Sequence, residues 1–220
     1  TMAVSMIVMN WLIEGCGESM LERQTMAITK QTNNPLARLC CRYAIPIMAH
    51  DPEIDGRYSV FSVVGLLPAM IAGLDILAIR NGAASVLTSM APVDGAALAV
   101  AFTKERQHTS TVLMPYRDQL ADLALWYRQL WAESLGKEGK GTTPIQAGGT
   151  VDQHSQLQLY LDGRNDKLIS LITCPTAGSG LTIPDSFAKE AGMPNIGGRP
   201  IGDLLDAFSC ATADALIEAS

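Results

Sequence analysis

Residues 118–135 read DQLADLALWYRQLWAESL, and their apolar side chains recur every three or four positions. This spacing predicts an amphipathic helix over Asp118–Leu135. Short apolar runs precede and follow that helix, at Thr109–Pro115, Pro144–Thr150 and Lys167–Ile172, and such runs are typical of buried strands. Helices that alternate with short apolar strands predict an α/β fold, in which parallel sheets are flanked by helices.

The rest of the chain continues this alternation. Further elements are predicted as helices at Thr1–Ile13, Leu36–Tyr43, Ser59–Arg80, Ala91–Thr103, His154–Asp162 and Leu204–Ala219, and as a strand at Ala44–Ala49. The most apolar stretch is Val60–Leu74, which serine, glycine and proline interrupt. It is shorter than the roughly 20 residues that a membrane span needs. We interpret it as part of a buried helix, and the sequence predicts no membrane partner.

Composition limits the classes of partner. Of the 220 residues, 48% are hydrophobic and 17% are charged, so the chain can bury a sizeable core. The net charge is −6, which argues against nucleic acid because phosphate contacts need a basic face. A small anion stays compatible with this charge, since backbone amides at a helix N-terminus can bind it locally.

The five cysteines indicate reduced thiols. They are Cys16, Cys40, Cys41, Cys174 and Cys210. Their number is odd, two are adjacent and none forms a C-x-x-C pair, which argues against a disulfide framework and a zinc site. The sequence therefore predicts core thiols in a cytoplasmic protein, without a bound metal.

Two residues with acid–base chemistry lie in and after the amphipathic helix. Glu133 stands near the end of the amphipathic helix, and His154 stands 21 positions later. A carboxylate and an imidazole are suited to moving protons on a sugar. Two plainer interpretations stay open: an (i, i+4) ion pair of Glu133 with Lys137, and a turn in which His154 caps or bridges beside Asp152.

Four motifs occur in the order and at the intervals of one enzyme family. They are Asp55–Val60 (DGRYSV), Gly65–Pro68 (GLLP), Gln129–Lys137 (QLWAESLGK) and Thr150–Ser155 (TVDQHS). Together they resemble glucose-6-phosphate isomerase of the bacterial type, across nearly the whole chain. The first motif is similar to the family signature G-G-R-[FY]-[ST], except that Asp55 replaces the first glycine. The charge of Asp55 either pairs with Arg57 and weakens its role, or lies outside the site.

The resemblance implies two sugar-isomerase (SIS) domains, each a parallel sheet flanked by helices, with the active site between them at a homodimer interface. Residues 1–114 are then a partial first domain, and residues 115–220 a partial second one. Thr1 resembles the final threonine of the family's phosphate loop, S-K-[ST]-x-x-T-x-E-T, and the lysine-bearing segment F-D-Q-x-x-V-E-x-x-K has no match before Ser220. We therefore expect an internal fragment that is inactive or weakly active alone.

The resemblance also implies roles for the matching residues. Glu133 is the base that moves a proton between C2 and C1, His154 opens the sugar ring in the partner subunit's active site, and Arg57 stabilises the enediolate. The residues implied to contact the substrate are Gln129, Gly56 and Thr1.

The activity that the resemblance implies is the interconversion of D-glucose 6-phosphate and D-fructose 6-phosphate through a cis-enediol, a step of glycolysis and gluconeogenesis that needs no cofactor. Two alternatives stay open. One is an isomerase that also accepts mannose 6-phosphate, and the other is a non-catalytic SIS module that binds sugar phosphates. Glu133 together with His154 favours an enzyme, because a pure binder has no need of that pair.

Overall fold

Parallel strands joined through helices form both sheets of the chain. The computed structural model describes residues 2–219, so Thr1 and Ser220 lie outside the described residues. Two compact units divide between Ser89 and Met90. The predicted boundary after Met114 lies inside a strand of the second unit, and the assignment of two sugar-isomerase domains stays a prediction.

The first unit is a small βαβ arrangement with helices before and after it. Its elements are α1 (Met2–Cys16), α2 (Met20–Gln24), β1 (Ala27–Thr29), α3 (Pro35–Arg42), β2 (Ile47–Ala49), a 3₁₀ turn (Gly56–Phe61), α4 (Val63–Ile71) and α5 (Ile76–Ser85). β1 and β2 pair in parallel, with Ile28 opposite Met48. The side chains of Leu21, Cys40 and Ile45 form its core.

Local chemistry explains where α3 begins. The side chain of Asn34 accepts a hydrogen bond from the Ala37 N–H at 3.0 Å. This satisfies one of the amides that a helix start leaves unpaired. Pro35 occupies the first helical position, where its missing N–H costs nothing.

The single buried helix predicted over Ser59–Arg80 is wrong. The chain forms the 3₁₀ turn, α4 and α5 instead, because Gly73 takes a positive φ of 81° and Asp75 caps a new helix through the amides of Leu77 and Ala78. Among the described residues of α4 and α5 none is buried, and the side chain of Ile71 is 76% exposed. No helix within residues 2–219 is long and apolar enough to cross a membrane.

The second unit holds a three-stranded parallel sheet. Its elements are α6 (Ala91–Glu105), β3 (Ser110–Pro115), α7 (Ala121–Leu135, after a 3₁₀ turn at Asp118–Leu120), β4 (Thr143–Gln146), α8 (Gly149–Asp162), β5 (Lys167–Ile172), α9 (Asp185–Glu190), a 3₁₀ turn (Pro194–Ile196) and α10 (Ile201–Glu218). The strand order is β4-β3-β5, so β3 lies in the middle. Val112 of β3 stands opposite Ile145 on one side and Ile169 on the other. The predicted α/β class, with parallel sheets flanked by helices, is confirmed.

Helices cover this sheet on both faces. Val112 and Met114 of β3 point to one face and belong to a buried cluster, against which Tyr160 of α8 and Leu205 of α10 pack. Thr111 points to the other face, where the Thr142 hydroxyl lies 3.5 Å away and accepts a hydrogen bond from the indole N–H of Trp131 in α7 at 2.9 Å. α7 therefore covers one face and α8 with α10 the other. This is the result expected for two right-handed crossovers that run in opposite directions across the sheet, from β3 to β4 through α7 and from β4 to β5 through α8.

Two further predictions need correction. α8 begins at Gly149, five residues before the predicted helix start, so His154 lies inside the helix rather than on a turn. The expectation of core thiols holds for Cys40 alone, since Cys16, Cys41 and Cys210 are exposed and Cys174 is half-buried. The strand at Lys167–Ile172 is confirmed at both ends.

Candidate active site

The end of α7 presents a carboxylate and an amide side by side. Gln129 and Glu133 are one helical turn apart, both are exposed, and the Gln129 Nε2 donates to the Glu133 Oε2 at 3.3 Å. Positions four apart share a helix face, as the sequence predicts for these two. An exposed carboxylate with a neighbouring amide donor can accept a proton from a bound molecule.

The ion pair offered as an alternative for Glu133 is not formed. α7 ends at Leu135 and Gly136 caps it, so Lys137 lies beyond the helix. The Lys137 backbone N–H turns back to the Leu135 carbonyl at 2.8 Å. Within the described residues no ion pair joins Glu133 to Lys137. The carboxylate of Glu133 is thus free of a cationic partner in this part of the chain.

His154 is exposed on α8 and takes no part in the polar network beside it. That network centres on Asp152, which accepts from the Gly148 N–H at 2.5 Å, from Gln156 Nε2 at 2.8 Å and from Ser155 Oγ at 2.9 Å. Burial raises the pKa of Asp152, but these hydrogen bonds outweigh it and leave the pKa below its ordinary value. Asp152 therefore secures the start of α8, and His154 does not bridge to it among the described residues.

Glu133 and His154 lie on opposite faces of the second unit's sheet. α7 covers the face of Thr111, whereas α8 covers the face of Val112 and Met114. Glu133 and His154 also lie toward opposite ends of the strands. The end of α7 is held near the amino end of β4 by the Trp131–Thr142 hydrogen bond, whereas α8 starts against Tyr116, just past the carboxyl end of β3. The second unit therefore does not bring the two residues together in one site.

Arg57 belongs to the first unit, where it stands in the 3₁₀ turn. Its Nη1 lies 3.3 Å from Asp55 Oδ2, and its guanidinium lies 4.6 Å from the ring centroid of Tyr58. The Arg57 side chain is 18% exposed and that of Asp55 is 62% exposed. Asp55 therefore pairs with Arg57 in the structure, and the effect of this pair on a site role of Arg57 stays a prediction.

Gly56 and Thr1 are the other two residues predicted to contact the substrate. A Cβ added to Gly56 would meet no atom within 4 Å, so packing within the protein does not require glycine there. A requirement for close approach of a ligand stays a prediction. Thr1, predicted as a phosphate contact, lies outside the described residues.

Residues 102–219 of the second unit line at least two cavities, and none of the predicted site residues that the structure describes lines either of them. One of about 490 Å³ opens at the amino edge of the sheet, beside Arg106, His108 and Lys167. Burial lowers the pKa of His108, and the positive charge of the nearby Arg106 lowers it further. The other cavity, about 400 Å³, opens at the carboxyl edge beside Tyr116 and Thr150.

Sequence reasoning missed Tyr116. It is 3% exposed, its hydroxyl donates to Gln153 Oε1 at 3.0 Å, and its ring supports Gly149. The available signal was a tyrosine directly after a strand that ends in Pro115. Within residues 2–219, no group of three or more His, Cys, Asp or Glu side chains is placed to hold a metal ion.

Comparison with known proteins matches the chain to one family. The model of the phosphoglucose isomerase family (PGI) covers residues 1–173. A glucose-6-phosphate isomerase of Rubrobacter xylanophilus is 39% identical over 223 residues, covering 98% of this chain and 52% of that protein. A probable glucose-6-phosphate isomerase of Natronomonas pharaonis is 40% identical over 198 residues, covering 87% of this chain and 46% of that protein.

Solved structures show the same fold. The crystal structure of a hypothetical protein from Thermus thermophilus superposes with a TM-score of 0.84 at 30% identity, over 99% of this chain and 54% of that one. A glucose-6-phosphate isomerase from Chlamydia trachomatis superposes with a TM-score of 0.65 at 21% identity, over 94% of this chain and 50% of that one, which supports the fold alone.

The parallel sheets flanked by helices place the chain in the α/β class of proteins. More narrowly, the chain belongs to the phosphoglucose isomerase family. It spans about half the length of the curated relatives that it matches.

Proposed function

We propose that this chain carries catalytic residues of a glucose-6-phosphate isomerase, which interconverts D-glucose 6-phosphate and D-fructose 6-phosphate. One observation carries the proposal: in a chain of this family, Gln129 and Glu133 are hydrogen-bonded to each other and exposed at the end of α7. Aldose–ketose isomerisation moves one proton between neighbouring carbons, so an accessible carboxylate is the group that the chemistry needs.

In this proposal Glu133 takes the proton from C2 of the open-chain sugar. The electrons left behind form the C1–C2 double bond and place a negative charge on O1, and the proton of the C2 hydroxyl then passes to O1 through the cis-enediol. Glu133 then returns its proton to C1 while the hydroxyl at C2 becomes the carbonyl. Gln129 holds the carboxylate on one face of the helix, and Glu133 as base contributes on the order of 10²- to 10⁴-fold.

His154 opens the sugar ring, because the cyclic substrate has to lose the proton on O1 and gain one on O5 before C2 can react. A near-neutral imidazole can exchange both protons. Since His154 and Glu133 lie on opposite faces of one sheet, a single second unit supplies only one of them to a site. The proposal is therefore a homodimer, in which each site combines Glu133 of one protomer with the partner subunit's His154.

Arg57 supplies fixed positive charge to the enediolate oxygen. Its pairing with Asp55 at 3.3 Å keeps the guanidinium oriented but offsets part of its charge. Gly56 and Thr1 complete the proposed substrate contacts. The proposal also assigns two sugar-isomerase domains, with residues 1–114 in the first and residues 115–220 in the second.

A cytoplasmic location is part of the proposal. All five cysteines are unpaired in the structure, and free thiols fit a reducing compartment.

The test uses the chain in place of the matching segment of the Rubrobacter xylanophilus relative, beside the chain by itself. Formation of fructose 6-phosphate is followed by a coupled assay. Glu133→Gln keeps the size and the hydrogen bond to Gln129 but removes the base, so we expect kcat to fall about 10²- to 10⁴-fold with little change in KM.

Glu138→Gln is the matched control, because Glu138 is an exposed glutamate paired with Lys140 in the loop after α7. We expect it to leave kcat unchanged. Turnover that survives Glu133→Gln would reject Glu133 as the base. Binding of sugar phosphate without any turnover would favour the non-catalytic binding module, and turnover of mannose 6-phosphate would identify the broader isomerase.

A further inference from the structure

Tyr116 lies where the sheet meets the helix that carries His154. Its backbone N–H donates to the Ile172 carbonyl at 2.9 Å, so it continues the pairing of β3 with β5. The side chain is 3% exposed. Burial raises the pKa of the Tyr116 hydroxyl, which keeps it protonated and able to donate at neutral pH.

Two contacts join Tyr116 to the first turns of α8. The hydroxyl donates to Gln153 Oε1 at 3.0 Å. The backbone of Gly149 lies against the ring so closely that an added Cβ would stand 2.7 Å from the Tyr116 Cα, Cγ and Cδ1. Contact at these two positions, one turn apart, fixes both the height of α8 and its rotation about its own axis.

The contacts determine where His154 points. At about 100° per residue, Gly149 lies about 140° around the helix from His154, nearly on the opposite side. Gln153 is the neighbour that precedes His154 in sequence. The other polar contacts of the first turns run from Asp152 to Gly148, Ser155 and Gln156, within the start of α8 itself, so they stiffen the helix without tying it to the sheet.

We propose that Tyr116 is a positioning residue for His154, which it holds on the exposed face of α8 by anchoring Gln153 and Gly149 to the sheet. The inference rests on the proposed function of His154 as the group that opens the sugar ring. Positioning matters because a misplacement of about 1 Å can cost on the order of 10²-fold in rate.

The test compares Tyr116→Phe, Gln153→Leu and the double variant with the wild-type chain. Phenylalanine keeps the ring under Gly149 and removes only the donor, so the fold is retained. The control is Tyr160→Phe, since the Tyr160 hydroxyl donates to Gln156 Oε1 at the same 3.0 Å but within α8. The primary readout is the NMR backbone order parameter of residues 149–154, with the ring signals of His154 assigned through His154→Gln.

We expect Tyr116→Phe and Gln153→Leu each to lower the order parameter of residues 149–154 from about 0.85 toward 0.6. The double variant should show no further loss, because both single changes remove the same hydrogen bond. Tyr160→Phe should keep the wild-type value. Wild-type order in Tyr116→Phe, or an equal loss in Tyr160→Phe, overturns the proposal, and a fall in thermal stability without a change at residues 149–154 identifies a merely structural role.

Measurements of turnover distinguish the positioning role of Tyr116 from the ring-opening role of His154, on which it rests. Where His154→Gln lowers kcat, Tyr116→Phe should lower it about tenfold with KM within about twofold. Full turnover in His154→Gln would reject the ring-opening role and leave the NMR result for Tyr116 standing. A loss in His154→Gln, with no effect of Tyr116→Phe on order or kcat, would reject the positioning role alone.

Discussion

At the scale of single residues, Asp152 organises the start of the helix that carries His154. Burial raises the pKa of Asp152, but three hydrogen bonds stabilise its carboxylate more strongly. Its pKa in the folded chain is therefore below the ordinary value. A depressed pKa gives stability that is present above the unfolded-state pKa of about 3.9 and is lost as the pH falls through the folded-state pKa. We expect Asp152→Ala to lower the free energy of unfolding by about 1 to 3 kcal/mol at pH 7, and by less below pH 4, measured by urea unfolding at both pH values.

Asp214→Ala is the control for the loss of a carboxylate. Asp214 is exposed on α10, and the structure gives it no hydrogen bond or ion pair with another described residue. Its replacement should change the free energy of unfolding by less than about 0.5 kcal/mol at pH 7. An Asp152→Ala deficit of the same size at pH 3 and pH 7 would contradict the linkage argument.

Also at this scale, the sequence predicts some site features and not others. The spacing of Gln129 and Glu133 is enough to place both on one helix face, because helical geometry is local. The contact of Tyr116 with Gln153 spans 37 positions and depends on how α8 packs, so no local pattern reports it. Asp55 is an intermediate case. It stands two positions before Arg57, so the sequence suggests the ion pair, but only as one of two interpretations.

At the scale of elements, α7 is docked to the sheet through a buried hydrogen bond. The indole N–H of Trp131 donates to Thr142, which is 8% exposed. Thr142→Val keeps the shape of the side chain and leaves the indole without its acceptor. We expect this change to lower the free energy of unfolding by about 1 to 3 kcal/mol, measured by urea unfolding.

Thr150→Val makes the same chemical change at an exposed position near the start of α8. It should cost less than about 0.5 kcal/mol. Equal losses in the two variants would show that the Trp131–Thr142 contact does not hold α7. Since Glu133 lies two residues beyond Trp131, a confirmed loss would also link the docking of α7 to the placement of the proposed base.

Element boundaries show the same division between local and distant causes. The strand Lys167–Ile172 is predicted at both ends because charge and turn residues delimit a short apolar run. The helix predicted over Ser59–Arg80 is wrong because its apolar composition outweighed two local signals, Gly73 and the capping Asp75. The early start of α8 escaped prediction because Gly149 is required by the ring of Tyr116, a contact from another element.

At the scale of the whole molecule, the topology decides how the proposed residues can meet. The order β4-β3-β5 sends the two crossovers in opposite directions, which places α7 and α8 on opposite faces. The sequence predicts the alternation of helices and strands but not the strand order, so the separation of Glu133 from His154 could not be read from their 21-residue interval. Because one copy of the chain holds Glu133 and His154 on opposite faces of its sheet, a site that uses both residues requires two copies.

The proposed homodimer, with sites shared between protomers, predicts that two inactive variants complement each other. In a mixed dimer of Glu133→Gln and His154→Gln, one site combines the intact Glu133 of one protomer with the partner's intact His154, and the other site lacks both. Random pairing makes about half of the dimers mixed, so refolding equal amounts together should restore about a quarter of the wild-type turnover. The measurement uses the chain within the Rubrobacter xylanophilus relative, with each variant refolded alone as the control. Turnover that stays at the level of the separate variants would mean that each site draws Glu133 and His154 from the same protomer, contrary to their placement on opposite faces of the sheet.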